Sequence, residues 1–263
     1  MASNYFDDST SNRLSYQMKL LYLSPSSLNR FYDSRCPASW EFGRKLEAIG
    51  KKDEMMDRGT LVHSMMEGTV PVSDVTDTLA KSLYDKLISL KSGLNIQITE
   101  TEVWQEFEII PGVIWQRKID GIGMEQGGKK ILADYKTGGA WKVIPSKNGS
   151  VASPKSMGFQ AIGYLIPPPQ VKDWPKQVIF LVAPYRGAPQ IFRYNYNKKD
   201  HNNLLLAIQH FKESVELFQA SGYFPKVRGY PCENCDFVAP CYEEDGWTDK
   251  FKKKEYSKKG RTL

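Results

Sequence analysis

Histidine and cysteine are scarce in this chain of 263 residues, which holds three of the first and four of the second. Long apolar runs are missing altogether. No stretch approaches the ~20 apolar residues that a membrane-crossing helix needs, and the opening MASNYFDDSTSNRLSYQMKLLYL lacks the charged-then-apolar order of a secretory signal. Neither an internal repeat nor a low-complexity linker divides the chain. At 41% hydrophobic residues it can still bury a substantial core. The expectation is a globular protein in a cytoplasmic setting, built as one large domain or one domain with appended pieces.

What little cysteine there is falls unevenly: Cys36 stands alone, while Cys232, Cys235 and Cys241 crowd into CENCDFVAPC. In a reducing compartment that crowding favours a metal or cluster site over disulfides. Four thiolates satisfy zinc and an iron–sulfur cluster equally well in principle. Of the histidines, His201 and His210 have no motif around them, and His63 ends RGTLVH. Charge is moderately one-sided, with 36 Lys and Arg against 30 Asp and Glu, a formal net charge of +6 and pI ≈ 8.9. Part of the excess lies in the closing DKFKKKEYSKKGRTL, a solvated tail by default. The sign suits a polyanionic partner such as DNA without requiring one.

The pattern along the chain changes once. Ser24 can cap and Pro25 can open a first helix in LSPSSLNRFYDS, with Leu28, Phe31 and Tyr32 as its apolar stripe. ASWEFGRKL continues as helix, followed by DEMMDRGTLVHSMMEG and VTDTLAKSLYDKLISLKSG. Gly59, in the middle of the third helix, costs about 1 kcal/mol against alanine, which points to something packed closely there. From Thr101 three β-prone runs follow, TEVWQEFEII, VIWQRKIDGIG and KKILADYKT, separated by Pro111-Gly112 and Gln126-Gly127-Gly128 as hairpin signals. SMGFQAIGYLI reads as a helix, QVIFLVAPY and PQIFRYNYN as strands. A last amphipathic helix carries Leu204, Ile208, Phe211, Val215 and Phe218 on one face. That order predicts an α/β or α+β core with a mixed sheet.

Chemistry gathers at the strand ILADYKT. Asp134 and Lys136 flank Tyr135 and share one face of the strand, as a solvated ion pair or as half of an active site. Asp120 ends the preceding strand, and a hairpin could bring its carboxylate next to that of Asp134. Two carboxylates at one site repel, and a divalent metal is the usual reason to place them together. His63 offers a possible further ligand, and Gln160 and Tyr164 lie one helical turn apart on one face. The acids Glu102 and Glu106 read as solvated strand positions.

The ordered set GTLVH, KID, DYK and Gln160-x-x-x-Tyr164 resembles the PD-(D/E)XK nuclease superfamily, and within it the RecB-like exonucleases. The opening LSPSSLNRFYDSRCPASWEF is similar to the start of that group. One cysteine before the core and a C-x-x-C-x5-C after it resembles the iron–sulfur nucleases of the Cas4 and AddB type. The resemblance spans about Leu23 to Cys241. It implies a restriction-endonuclease-like core and division of the chain into an extension (1–22), a helical part (23–100), a nuclease core (101–221), a cysteine segment (222–245) and a basic tail (246–263). It further implies that His63, Asp120, Asp134 and the backbone carbonyl of Tyr135 bind Mg²⁺ or Mn²⁺. Lys136 would orient the attacking water, making Asp120, Asp134 and Lys136 the catalytic set. Cys36, Cys232, Cys235 and Cys241 would hold a [4Fe-4S] cluster. Gln160 and Tyr164 would position DNA. The place three residues before Asp120, often glycine in this family, is Arg117, for which a phosphate contact is expected. The function so implied is a metal-dependent DNA exonuclease acting at ends and preferring single strands, with a structure-selective endonuclease or a non-cleaving DNA-end binder as alternatives. Recombination, repair, phage DNA metabolism or CRISPR adaptation would be its settings, with a homo-oligomer or proteins of those pathways as possible partners.

Overall fold

Both glycine-bearing turns fall where the sequence places them. Gly112 (φ 83°) and the pair Gly127 (φ 92°) and Gly128 (φ 78°) take left-handed backbone that other residues adopt poorly. In the computed structural model, which describes residues 20–33, 36–45, 54–138, 158–226 and Cys241, they join β2 (Gln97–Ile110), β3 (Val113–Glu125) and β4 (Lys129–Thr137). β1 (Leu21–Leu23), β5 (Gln177–Ala183) and β6 (Gln190–Asn195) complete a six-stranded sheet in the order β1-β3-β4-β5-β6, with β2 paired to β3. The sheet is mixed: β1 runs parallel to β3 and β4 parallel to β5, and the remaining pairs are antiparallel. β1 straddles the boundary read from sequence between the extension (1–22) and the helical part (23–100), and three residues give too short a pattern to register as a strand.

Six helices flank the sheet among the described residues: α1 (Pro25–Asp33), α2 (Pro37–Lys45), α3 (Glu54–Glu67), α4 (Thr78–Gly93), α5 (Gly158–Leu165) and α6 (Lys198–Ser221). Their starts follow ordinary capping chemistry. Ser24 Oγ accepts from Ser27 N, Asp77 from Ala80 N and Asn197 from Lys199 N. β5, QVIFLVA, is buried at every position, as a strand covered on both faces requires. On one face Val62 and Met65 of α3 and Leu83 and Leu87 of α4 pack on Ile131, Tyr135, Ile179 and Leu181. On the other, Ala161, Tyr164 and Leu165 of α5 cover Ile119, Leu132, Val178 and Phe180. α1, α2 and α6 join Leu23, Trp115 and Phe107 in a third cluster, where Leu204, Ile208, Phe211 and Val215 are the buried stripe expected of α6.

One feature of the register positions the site. On a single side of β3, β1 pairs with Val113 to Trp115 and β4 with Gly121 to Glu125. Among the described residues Gln116 to Asp120 have no strand neighbour there, so the sheet opens where Asp120 stands.

Candidate active site

Where the ladder between β3 and β4 stops at Gly121 and Ala133, the next step of the same register would set Asp120 against Asp134. The acid that ends one strand thus meets the acid that ends the other. Asp120 Oδ2 accepts the Tyr135 N–H at 2.8 Å, standing in for the missing strand partner. Lys136 Nζ donates to Asp134 Oδ2 at 2.7 Å. α3 brings His63 in from the opposite side of β4: its Nδ1 lies 3.5 Å from Asp120 Oδ2, and its ring meets that of Tyr135 edge-on. Gly59 makes this approach possible, because a Cβ there would stand 3.1 Å from Thr137 Oγ1 at the end of β4. The mid-helix glycine does answer a close contact. Arg58 Nε bonds Asp77 at 2.7 Å and ties α3 to the start of α4.

From the other face α5 supplies the Gln160 and Tyr164 pair. Gln160 Nε2 donates to Tyr164 Oη at 2.6 Å and reaches Asp134 Oδ2 at 3.4 Å. Tyr164 is buried, and its phenol is raised well above the ordinary range by burial and by the carboxylates of Asp134 and Asp120. It stays protonated and holds Gln160. Its ring, packed on the sheet, presents no free face to a base.

The electrostatics set the site apart from a solvated ion pair. Asp134 is fully buried, and burial pushes its pKa up to about 6; the Asp120 carboxylate adds to the rise, and Lys136 opposes it. Asp120 is raised too, mainly by burial, against the pull of Lys136 and of the Tyr135 N–H. Burial lowers His63 below its usual value, so its imidazole is neutral near pH 7 and keeps a lone pair to donate. The Lys136 ammonium also lies beside Asp134 Oδ1, yet that buried oxygen accepts no hydrogen bond of good geometry. Two desolvated carboxylates and a neutral imidazole form a donor set that fits a hard divalent cation.

Two residues escaped the sequence reading. The ligand atoms of His63, Glu67 and Glu102 all lie within 4.8 Å of one another, a group that shares only His63 with the expected ligands. Glu67 follows His63 by four positions, a same-face spacing that was visible in the sequence. Glu102 gave no such signal. It takes a left-handed φ of 53° within β2, in the gap in pairing between Thr101 and Val103 opposite Asp120. It is not the solvated strand acid expected: its side chain is largely buried and its Oε2 ion-pairs with Lys118.

Arg117 corrects another expectation. Only 2% of it is exposed, its head bonds Gln105 and backbone carbonyls of α5, and it lies between the rings of Phe107 and Trp174. A guanidinium so enclosed does not reach a phosphate.

Of the cysteines, Cys36 and Cys241 are described, and both are buried. Ala38 N bonds Pro225 O at 3.2 Å, the Lys226 ammonium lies over the Phe42 ring, and Lys226 Nζ reaches Cys241 O at 3.5 Å. The segment after α6 therefore returns to α2, next to Cys36. Cys232 and Cys235 lie outside the described residues, as does the basic tail.

No family model and no curated protein matches the chain. Among solved structures it is similar to a candidate exonuclease from Eubacterium rectale, with a TM-score of 0.59 at 14% identity over 90% of this chain and 94% of that one. LHK-Exo in complex with dAMP aligns at a TM-score of 0.42 and 13% identity, over 77% of this chain and 93% of that one. SSO0001 aligns at 0.39 and 15%, over 84% and 85%. At such identity it is architecture that is shared with the Eubacterium rectale protein, a mixed sheet flanked by helices.

Proposed function

We propose that the chain is a metal-dependent deoxyribonuclease of the PD-(D/E)XK type that hydrolyses phosphodiester bonds at DNA ends, preferring single strands. The observation that carries this reading is the pair of buried carboxylates, Asp120 and Asp134, set side by side with the Lys136 ammonium against Asp134. A structural ion pair gains nothing from a second desolvated acid next to it. His63, Asp120, Asp134 and the Tyr135 carbonyl would hold Mg²⁺ or Mn²⁺, the imidazole tilting preference towards Mn²⁺. When bound, the cation supplies Lewis-acid polarisation of the scissile phosphate. Lys136 orients the attacking water and offsets the negative charge that grows on the phosphate. Gln160, held by Tyr164, fixes the Asp134 carboxylate beside the place where the DNA would lie. The net charge of +6 favours approach of a polyanion.

Cys36, Cys232, Cys235 and Cys241 complete the proposal as ligands of a [4Fe-4S] cluster, with zinc as the other thiolate-bound possibility. The setting is end processing in recombination, repair, phage DNA metabolism or CRISPR adaptation. End-labelled linear and circular DNA, incubated with the protein and Mg²⁺, Mn²⁺ or chelator, tests the reading. Metal-dependent shortening of linear single strands with circles left intact is expected. Cleaved circles would make the protein an endonuclease; binding of ends with no product under any metal would leave a non-cleaving end binder and overturn the enzyme.

A further inference from the structure

α5 is eight residues long, about 12 Å of helix at 1.5 Å per residue. Helices that short do not hold themselves together in water. The orientation of Gln160 must therefore come from whatever grips α5 from outside. Two anchors are evident, both at its far end. Gly163 lies against Trp115 of β3, where a Cβ would come within 2.5 Å of Cζ2. Arg117, also on β3, sends its Nη1 to the carbonyls of Gly163 and Tyr164, the latter at 3.0 Å. These belong to the last turn, whose carbonyls have no partner within the helix. A cation there also complements the negative end of the helix dipole. Trp174 Nε1 donates to the same Tyr164 carbonyl at 2.8 Å, closing the cap.

The guanidinium is held as firmly as it holds. Gln105 Oε1 accepts from its Nε at 2.8 Å and from its Nη2. The rings of Phe107 and Trp174 lie 5.1 and 4.7 Å from its central carbon. Among the described residues no carboxylate pairs with it. Burying a cation without a counter-charge is expensive, and a leucine would fill this space at less expense if packing were all that mattered. An arginine differs from a leucine in fixing the rotation of the helix, because two adjacent carbonyls must both face it.

We propose that Arg117 is a positioning residue: by clamping the Gly163 and Tyr164 carbonyls it sets the rotation of α5 and so aims Gln160 at the Asp134 carboxylate. This rests on the nuclease reading only for its consequence in turnover; the aiming of Gln160 stands apart from it. Arg117 touches neither substrate nor the reacting groups, and acts one helical turn away through Tyr164 and Gln160.

The test uses full-length protein and three variants, Arg117→Lys, Gln105→Ala and Gln160→Ala. Gln105→Ala removes the group that aims the guanidinium from a half-buried site on the outer strand, so the cap is loosened even if Arg117→Lys fails to fold. Two quantities are read: the side-chain amide signals of Gln160 by NMR, and kcat and KM on single-stranded DNA. Expected are Gln160 signals shifted towards those of a solvated amide in the folded loosened variants, kcat lower by about tenfold or more, and KM within about twofold of wild type, as a displacement of about 1 Å at a catalytic group suffices for such losses. The loss should also nearly vanish when the same change is made in Gln160→Ala. Gln160 signals and kcat unchanged in a folded loosened variant would overturn the proposal, and so would losses that simply multiply with that of Gln160→Ala. If the wild type cleaves nothing, the nuclease reading falls, and the Gln160 signals alone decide for or against the clamp.

Discussion

Asp134 carries the sharpest consequence at the scale of single residues. Its pKa in the fold is about 6 against 3.8 for an ordinary aspartate. Between those values the folded chain keeps a proton that the unfolded chain has released. Its contribution to stability is therefore full below about pH 4 and is lost as the pH rises through about 6, by an amount on the order of 3 kcal/mol. Metal-free wild type should lose stability over that window, and Asp134→Asn should lose less, because Asp120, raised as well, still titrates in the variant. His63, held below its ordinary value, works the other way: its contribution is present above about pH 6.5 and falls on acidification, with the sign that linkage requires of a depressed group. Urea midpoints of both proteins from pH 4 to 8, without divalent cations, isolate the aspartate. An identical decline in Asp134→Asn would reject the burial argument. At pH 7.5, Mg²⁺ or Mn²⁺ should raise the melting temperature of the wild type and leave that of the variant in place.

Lys136 gives the second prediction at this scale. Lys136→Ala should stay folded and bind DNA, yet cleave ~10²-fold more slowly or worse, the usual loss when a preorganised charge leaves a reacting centre. Wild-type turnover in that variant would remove Lys136 from the mechanism. Both residues were legible in sequence because alternation along a strand fixes which side chains share a face. Arg117 was not legible as a clamp. Its partners in α5 lie more than forty positions away, and no local pattern says which helix will cover which arginine. Glu102 was hidden for another reason, since nothing in Thr-Glu-Val announces a left-handed glutamate.

At the scale of elements, glycines decide how closely helices approach the site. The strands and hairpins were legible because β-branched and aromatic runs end in turn glycines. Boundaries were less so: β2 begins at Gln97, ahead of the expected Thr101, since the polar QITE of an outer strand shows little alternation of burial. Gly163 could be seen as part of a helix, though not as its contact. A methyl group there would stand 2.5 Å from the Trp115 indole, and that indole, fully buried, has no room to retreat. Gly163→Ala should push α5 away from β3 and destabilise the fold by about 1–3 kcal/mol, the common range for overpacking. Activity should fall further than stability does, because the shift carries Gln160 with it. Equal melting temperature and turnover in variant and wild type would mean that α5 is free to slide, contrary to its anchoring at both Trp115 and Arg117.

For the molecule as a whole, the question is what joins its two ends. The chain leaves α6 at Gly222, returns Pro225 to the backbone of α2 and sets Lys226 beside both Phe42 and Cys241. Cys36 opens α2. A site made by Cys36, Cys232, Cys235 and Cys241 would thus close a loop containing every strand of the sheet but β1. Closing so long a loop removes unfolded-state entropy, and the binding energy of ligands that come together only in the fold appears as folding energy. Cys36→Ala should therefore lower stability and activity together, although the active-site residues lie far off in sequence. Turnover per folded molecule should change little, which separates loss of the staple from damage to the chemistry. Wild type purified without oxygen should be brown, with iron and acid-labile sulfide in about equal amounts. One zinc per colourless chain would reject the cluster and keep the staple. A metal-free chain that unfolds at the same denaturant concentration with and without Cys36 would reject both, leaving the packing of α1 and α2 against α6 and the contacts of Pro225 and Lys226 with α2 to tie these parts together.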